Sequence, residues 1–267
     1  MTPKDTQHFC EQVKRKLKIF KSSDFVFDEP SHTYTFLGEK FDSVTTYIKC
    51  FKEPFDSNYW AGVKAAEKGV TKQEILNEWK QKGDYAGDLG TDVHKWIEDF
   101  WVGLKPPYPE NPEVLERVQK FESLYDSKLH RFFPIASEVK VFSKKWRLAG
   151  TIDQLFGFFD EKEHRFKVVV GDWKTNKVFK TPDGKDGRYK KLLRPFNDLY
   201  ENHLSEYSIQ LSLYRLILGE SAIETDSAFL CHLGPNDPAK IYPALDLRER
   251  LFMFLESNRA KKDIFDI

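Results

Sequence analysis

The sequence predicts an α/β fold: a mixed central β-sheet flanked by helices, with a helical elaboration at the N-terminal side. Three observations carry that expectation. Strand-like segments rich in β-branched and aromatic residues cluster between about 134 and 174. Helical apolar periodicity precedes them, most clearly over 85–102, and returns over 204–218. A further short strand at 226–233 then gives the alternation expected of a sheet covered by helices.

Taken in order, residues 4–20 read as a basic helix carrying Lys14, Arg15, Lys16 and Lys18. Phe25-Val26-Phe27 and Thr33-Tyr34-Thr35-Phe36 read as strands joined through Asp28-Glu29-Pro30-Ser31, whose residue types favour turns. Residues 56–82 are expected to be helical in two pieces, broken near Gly69-Val70-Thr71. A stronger helix follows from Tyr85 to Val102, with Leu89, Val93, Trp96, Ile97, Phe100 and Trp101 on one stripe. Pro106, Pro107 and Pro109 stop it, and 112–129 resumes as helix. Strands are expected at roughly 134–143, 146–159 and 165–174, then a polar loop to about 194. Helix 204–218, strand 226–233 and a closing helix over 246–260 complete the chain. With no repeat, low-complexity tract or long linker, residues 1–267 are expected to form a single domain. Its parts are an elaboration (1–84), a core (85–220) and a C-terminal section of strands and closing helix (221–267).

Composition narrows the class. The chain is 31% charged and 40% hydrophobic over 267 residues, enough to bury a full core. No apolar run approaches the roughly 18 residues a membrane span needs, and Met1-Thr2-Pro3-Lys4-Asp5 does not open a signal peptide. Cys10, Cys50 and Cys231 are odd in number and widely spaced, which fits neither a disulfide framework nor a zinc ribbon and points to a reducing, cytoplasmic setting. Lys plus Arg number 42 and Asp plus Glu number 42, which argues against a general nucleic-acid coat but allows a local basic path.

The chemistry concentrates in Val168-Val169-Val170-Gly171-Asp172-Trp173-Lys174. An apolar strand ends there in an acid and a lysine that share one face, with Trp173 on the other. Burying both charges without purpose is costly. Upstream, Trp146-Arg147-Leu148-Ala149-Gly150-Thr151-Ile152-Asp153 offers a second strand ending in a second acid. Acid, then acid-x-lysine, is the order of a metal-dependent phosphodiesterase. Mg²⁺ or Mn²⁺, one ion or two, would suit carboxylate and carbonyl oxygen. Asp153 and Asp172 are candidate ligands and catalytic acids, the Trp173 carbonyl is a third donor, and Lys174 would orient water or steady developing charge.

Four further features belong to this reading. Glu138, in Ser137-Glu138-Val139-Lys140, alternates with Val139 and Val141 and is either a metal ligand, direct or through water, or a solvated edge-strand acid. His94 lies beside the apolar stripe one turn after Gly90; alone it reads as a core histidine, and beside the acids as a metal ligand. Gln210 and Tyr214 share a helix face and are either a satisfied core pair or supports for Lys174 or a phosphate. The loop carries Lys177, Lys180, Lys185, Arg188, Lys190, Lys191 and Arg194, either a solvated face or a track for a DNA backbone, with Tyr189 and Phe196 as candidate base-stacking residues.

In sequence, Gly90-x-x-x-His94, Glu138, Gly150-Thr151-Ile152-Asp153, Asp172-Trp173-Lys174 and Gln210-x-x-x-Tyr214 resemble the RecB-like branch of the PD-(D/E)XK nuclease superfamily, over about 85–220. His32-Thr33-Tyr34 through Phe41-Asp42-Ser43-Val44-Thr45-Thr46-Tyr47-Ile48 is similar, more loosely, to phage exonucleases and the mitochondrial genome maintenance exonuclease group. The resemblance implies a PD-(D/E)XK core and a divalent-metal DNA exonuclease acting on single-stranded DNA ends in replication, recombination or repair. It implies that His94, Asp153 and Asp172 bind metal, that Lys174 is catalytic, and that Gln210 and Tyr214 support the site. Three scattered cysteines do not build the iron–sulfur cluster that some relatives carry. A phosphate-loop motif is missing, so a helicase would be a separate partner chain, and a replication or recombination protein partner is open. Ile152 stands where the superfamily has proline. A bacterial or phage-infected cytoplasm, or an organellar matrix, is the expected location. Against this stand a non-catalytic nucleic-acid-binding module on the same fold, and a metal-dependent hydrolase of a small phosphorylated substrate.

Overall fold

The computed structural model describes residues 2–28, 31–181, 190–235 and 237–265, with side chains to residue 259. It is α/β, a mixed eight-stranded sheet flanked by helices. Helix α1 (Pro3–Leu17) starts from a Thr2 capping box with Asp5 and gives way to a 3-10 turn, Lys18–Lys21. Strands β1 (Phe25–Asp28), β2 (Thr33–Phe36) and β3 (Glu39–Ser43) form an antiparallel meander. A four-residue helix α2 (Val44–Tyr47) and a 3-10 turn lead to α3 (Ser57–Lys68) and α4 (Lys72–Trp101). Then come α5 (Pro112–Ser127), β4 (Phe133–Ser143), β5 (Leu148–Asp160) and β6 (Arg165–Lys174). Helix α6 (His203–Glu220), β7 (Ser227–His232), β8 (Lys240–Pro243) and α7 (Arg248–Phe265) finish the described chain.

The break expected near Gly69 is present: Gly69 caps α3 at φ 68, and a Thr71–Glu74 capping box starts α4. The separate helix expected to begin at Tyr85 is instead the second half of α4, which runs unbroken through Gly83, Gly87 and Gly90. Glycine costs a helix interior about 1 kcal/mol each. Packing offsets that cost at both ends, through Ala61, Ala65 and Ile75 between α3 and α4, and through Leu89, Val93, Trp96 and Ile97 against the sheet. Strands β3 and β8 and helix α2 were not foreseen: β3 is mostly polar and β8 ends in proline, so neither has the run of aromatic and β-branched residues that marks the equally short β1 and β2, and α2 is a single turn.

Two apolar layers cover the sheet. One joins α1, α2, α6 and α7 to Leu148, Val168 and Val170. The other joins α4 and α5 to Phe156, Val169 and Trp173. Consecutive valines of β6 thus serve opposite layers, so the expected face assignment holds: Trp173 packs on Phe121 with ring centroids 5.5 Å apart, while Asp172 and Lys174 turn towards α6.

The sheet forks where the site lies. The β5–β6 ladder runs from Asp160 opposite Arg165 to Gln154 opposite Gly171 and ends there. Beyond it, β5 pairs in parallel with β3 at Leu148 and Ala149, while β6 continues beside β7 through Lys174 opposite His232. β4 borders the length of β5. A strand has two edges, so β3 and β6 share the opposite one and part across residues 150–153. Trp173 is the wedge that holds β6 on its course. Trp173→Ala is expected to lower the free energy of unfolding by about 3–5 kcal/mol, the cost of a large apolar cavity, read from urea denaturation with an unchanged slope.

Candidate metal centre at the strand fork

Where β6 leaves β5, the Trp173 N–H loses a ladder acceptor on that side. The Asp153 carboxylate replaces it, Oδ2 accepting at 2.8 Å, and this bond fixes the carboxylate in the fork. From the other layer α4 brings His94 against the same peptide unit, with Nε2 3.0 Å from the Trp173 carbonyl oxygen. A carbonyl only accepts, so Nε2 carries a proton, and in the neutral imidazole Nδ1 then presents a lone pair. That lone pair lies 3.6 Å from Asp153 Oδ2. Two acceptors face each other, an arrangement a cation satisfies.

Glu138 completes the group. It stands opposite Asp153 between the pairs Ser137–Gln154 and Val139–Ile152, but its φ of 46° is left-handed. The simple alternation expected for Glu138 and Lys140 is therefore interrupted at Glu138. A left-handed non-glycine residue costs on the order of 1–3 kcal/mol, and such strain gathers at functional sites. His94, Glu138 and Asp153 each offer a donor atom, all within 4.8 Å of one another. Burial and the negative charges of Asp153, Glu98 and Asp172 push the Glu138 carboxyl up to about 8.

Asp172 stands apart from that triad. It is buried, and Lys174 Nζ approaches its Oδ2 to 2.7 Å as an ion pair, at an angle that leaves this oxygen without a directed hydrogen bond. Burial pushes Asp172 above the usual carboxylate range, against the pull of Lys174. Burial works to lower the Lys174 pKa, but Asp172 and Asp153 outweigh it and hold the ammonium above its ordinary value. The donor set fits a divalent cation. Carboxylates and an imidazole converge, and the imidazole is oriented by a carbonyl.

The other expected residues separate. Trp173 contributes its backbone twice, as donor to Asp153 and acceptor from His94. Gln210 and Tyr214 are joined to each other, Nε2 donating to the hydroxyl at 3.3 Å. The Tyr214 ring closes on Gly150, where an added Cβ would come within 2.7 Å of it, which explains the glycine before Thr151. Lys177 is exposed at the mouth of a cleft of about 690 Å³ that also receives His94 and Lys174. Lys180 donates its backbone N–H to His203, Lys190 lies between Glu53 and Glu201, Lys191 rests over the Tyr200 ring, and Arg194 is exposed. Lys185, Arg188 and Tyr189 lie outside the described residues. Phe196 does not await a base: it is fully buried, edge-on to Phe51, because the chain after the loop folds back into the first core layer.

Three residues escaped the sequence reading. Tyr207 lies under Lys174, its ring centroid 4.3 Å from Nζ, and its place three residues before Gln210 on the α6 stripe was an available signal. Arg117 is buried among Val114, Val118 and Phe121, donates to the Glu113 carbonyl at 2.6 Å and lines the cleft. A charge inside an apolar stripe is the mark it left. Glu98, one turn after His94, adds negative charge near Glu138.

A pH dependence follows from Glu138. The folded state keeps its proton up to about 8, whereas the ordinary value is 4.5, so between the two the folded form binds more protons than the unfolded. Stability of the metal-free protein therefore falls as pH rises through that window and levels off above it. Chemical denaturation in EDTA from pH 5 to 9 is expected to trace this decline, and Glu138→Gln to flatten it.

Neither protein-family models nor curated proteins match this chain, so the reading of the site rests on the geometry of its own residues.

Proposed function

We propose that this protein is a divalent-metal-dependent deoxyribonuclease on a PD-(D/E)XK core, hydrolysing phosphodiester bonds from single-stranded DNA ends with Mg²⁺ or Mn²⁺. The observation that carries the reading is the fork: it sets His94, Glu138 and Asp153 around one point, with Asp172 and Lys174 on the diverging strand beside it. A bound divalent ion would supply an activated water and neutralise charge on the phosphoryl oxygens. His94, Glu138 and Asp153 would hold it, with Asp172 adjacent. The Trp173 peptide keeps Asp153 and His94 aligned from its two ends. Asp172 and Tyr207 locate the Lys174 ammonium, which reaches the cleft where a scissile phosphate would lie. Kept cationic, Lys174 stabilises the negative charge that builds on phosphoryl oxygen in the transition state.

The cleft supports a single strand as substrate. The exposed Tyr85 and the half-buried Tyr207 offer it aromatic faces, while Lys82 and Lys177 lie among its walls. Apolar faces beside cations suit an unstacked base and its phosphates better than a duplex.

The test is digestion of end-labelled linear single- and double-stranded DNA and of a closed circle, in Mg²⁺, Mn²⁺ or EDTA. Linear single strands are expected to disappear only with metal, the circle to survive, and Lys174→Ala or Asp153→Ala to slow the reaction about 100- to 1000-fold. Tight binding with no cutting by the unaltered protein in either metal would overturn the proposal in favour of a binding module.

A further inference from the structure

A second basic site stands at the far end of β5. We infer that the trough between the β2–β3 turn, the β4–β5 turn and α7 binds the phosphate backbone of a nucleic-acid strand, apart from the candidate metal centre. It encloses about 900 Å³. Lys40, Lys144, Lys145, Arg147 and Arg259 line it, against the carboxylates of Glu39 and Asp42. In a chain with a net charge of zero, this is a local concentration of positive charge.

Of these five cations, Lys145 and Arg147 are held by acids, while among the described residues Lys40 and Lys144 are not. Arg147 is paired with Glu39 at 2.6 Å and also donates to the Lys40 carbonyl, which ties the two turns together. Lys145 is paired with Glu256 at 2.9 Å, and the same carboxylate accepts from the Trp146 indole, which ties the turn to α7. These pairs build the walls. Lys40 and Lys144 are exposed and have no ion-pair partner among the described residues. Lys144 Nζ sits 4.1 Å above the Phe36 ring, which directs it without neutralising it.

Arg147 closes the Lys144-Lys145-Trp146-Arg147 turn at a left-handed φ of 55°, and the Arg147–Glu39 and Trp146–Glu256 contacts tie that turn to its neighbours. Phe36 and Phe41 are buried and only floor the trough, so among its rings the half-buried Trp146 alone stands beside the cations within reach of a base. From Arg147 to Asp153 is six residues of strand, about 20 Å. A strand cut at the fork would therefore meet this trough several nucleotides away. The inference rests on the substrate being nucleic acid, and not on its being cut.

The test measures binding of a fluorescein-labelled 20-mer single strand by anisotropy, in EDTA, across a salt series. The Lys40→Ala/Lys144→Ala double variant is expected to bind about tenfold more weakly, with a log–log salt slope shallower by about 1.4, at roughly 0.7 for each lost phosphate contact. Lys144→Glu is expected to weaken binding too. Lys162→Ala, at the distant β5–β6 turn, is expected to change nothing. Affinity and slope equal to the unaltered protein in the double variant would overturn the inference. So would a polyglutamate peptide that competes as well as the oligonucleotide, since the trough would then recognise acidic protein. Lys174→Ala keeps the two proposals apart: it should slow cutting, while Lys40→Ala/Lys144→Ala should lower affinity by the same factor on the Lys174→Ala background as on the unaltered protein. Loss of binding in the trough variants from a protein that cuts nothing would sink the nuclease and spare the trough.

Discussion

One hydrogen bond organises this molecule, that between the Trp173 amide and the Asp153 carboxylate. It exists because two neighbouring strands stop pairing. As long as β5 and β6 are laddered, the Trp173 N–H has no need of a side chain; once they part, a buried backbone donor must find an acceptor or destabilise the fold. Asp153 answers that need and is thereby fixed where His94 and Glu138 can reach it. The indole of Trp173 anchors the same residue in the α4–α5 layer, so one residue supplies both the wedge and the polar contact.

The charged groups then follow a single logic. Sheet alternation places Asp172 and Lys174 on the α6 side, where burial would disfavour either charge alone. Together they hold each other, and Tyr207 provides a second surface for the ammonium. On the other strand, Glu138 has no ion-pair partner among the described residues. Its carboxyl is pushed up by burial and by the surrounding acids, and its backbone sits in a left-handed conformation that the flanking ladder enforces. Strained backbone, converging donor atoms and an ion pair beside them make a site whose residues could hold a cation.

Much of this was legible in the sequence because it depends on short-range periodicity. The three long strands and the apolar stripe of α4 follow from alternation and from the helical period, and Val168 to Lys174 already separates Trp173 from Asp172 and Lys174. What could not be read depends on tertiary pairing. Nothing local marks the point where β5 exchanges β6 for β3, and the polar β3 and proline-ended β8 lack the composition that marks β1 and β2. The continuity of α4 through three glycines is decided by packing at its two ends. Phe196 looked available for stacking only because its return to the core is a long-range event, and the left-handed turn at Glu138 is imposed by its neighbours rather than by its residue type. Tyr207 and Arg117 left traces, an aromatic on the Gln210 stripe and a charge among apolar residues, and those traces gain meaning only beside Lys174 and the cleft.

The most direct measurement is calorimetric titration of Mn²⁺ into metal-free protein, beside Glu138→Gln and Asp153→Asn. The fork geometry predicts saturable binding that each substitution weakens at least about tenfold, with folding retained. No binding by the unaltered protein, or equal binding by all three, would contradict the claim that the parting of β5 and β6 creates a metal centre.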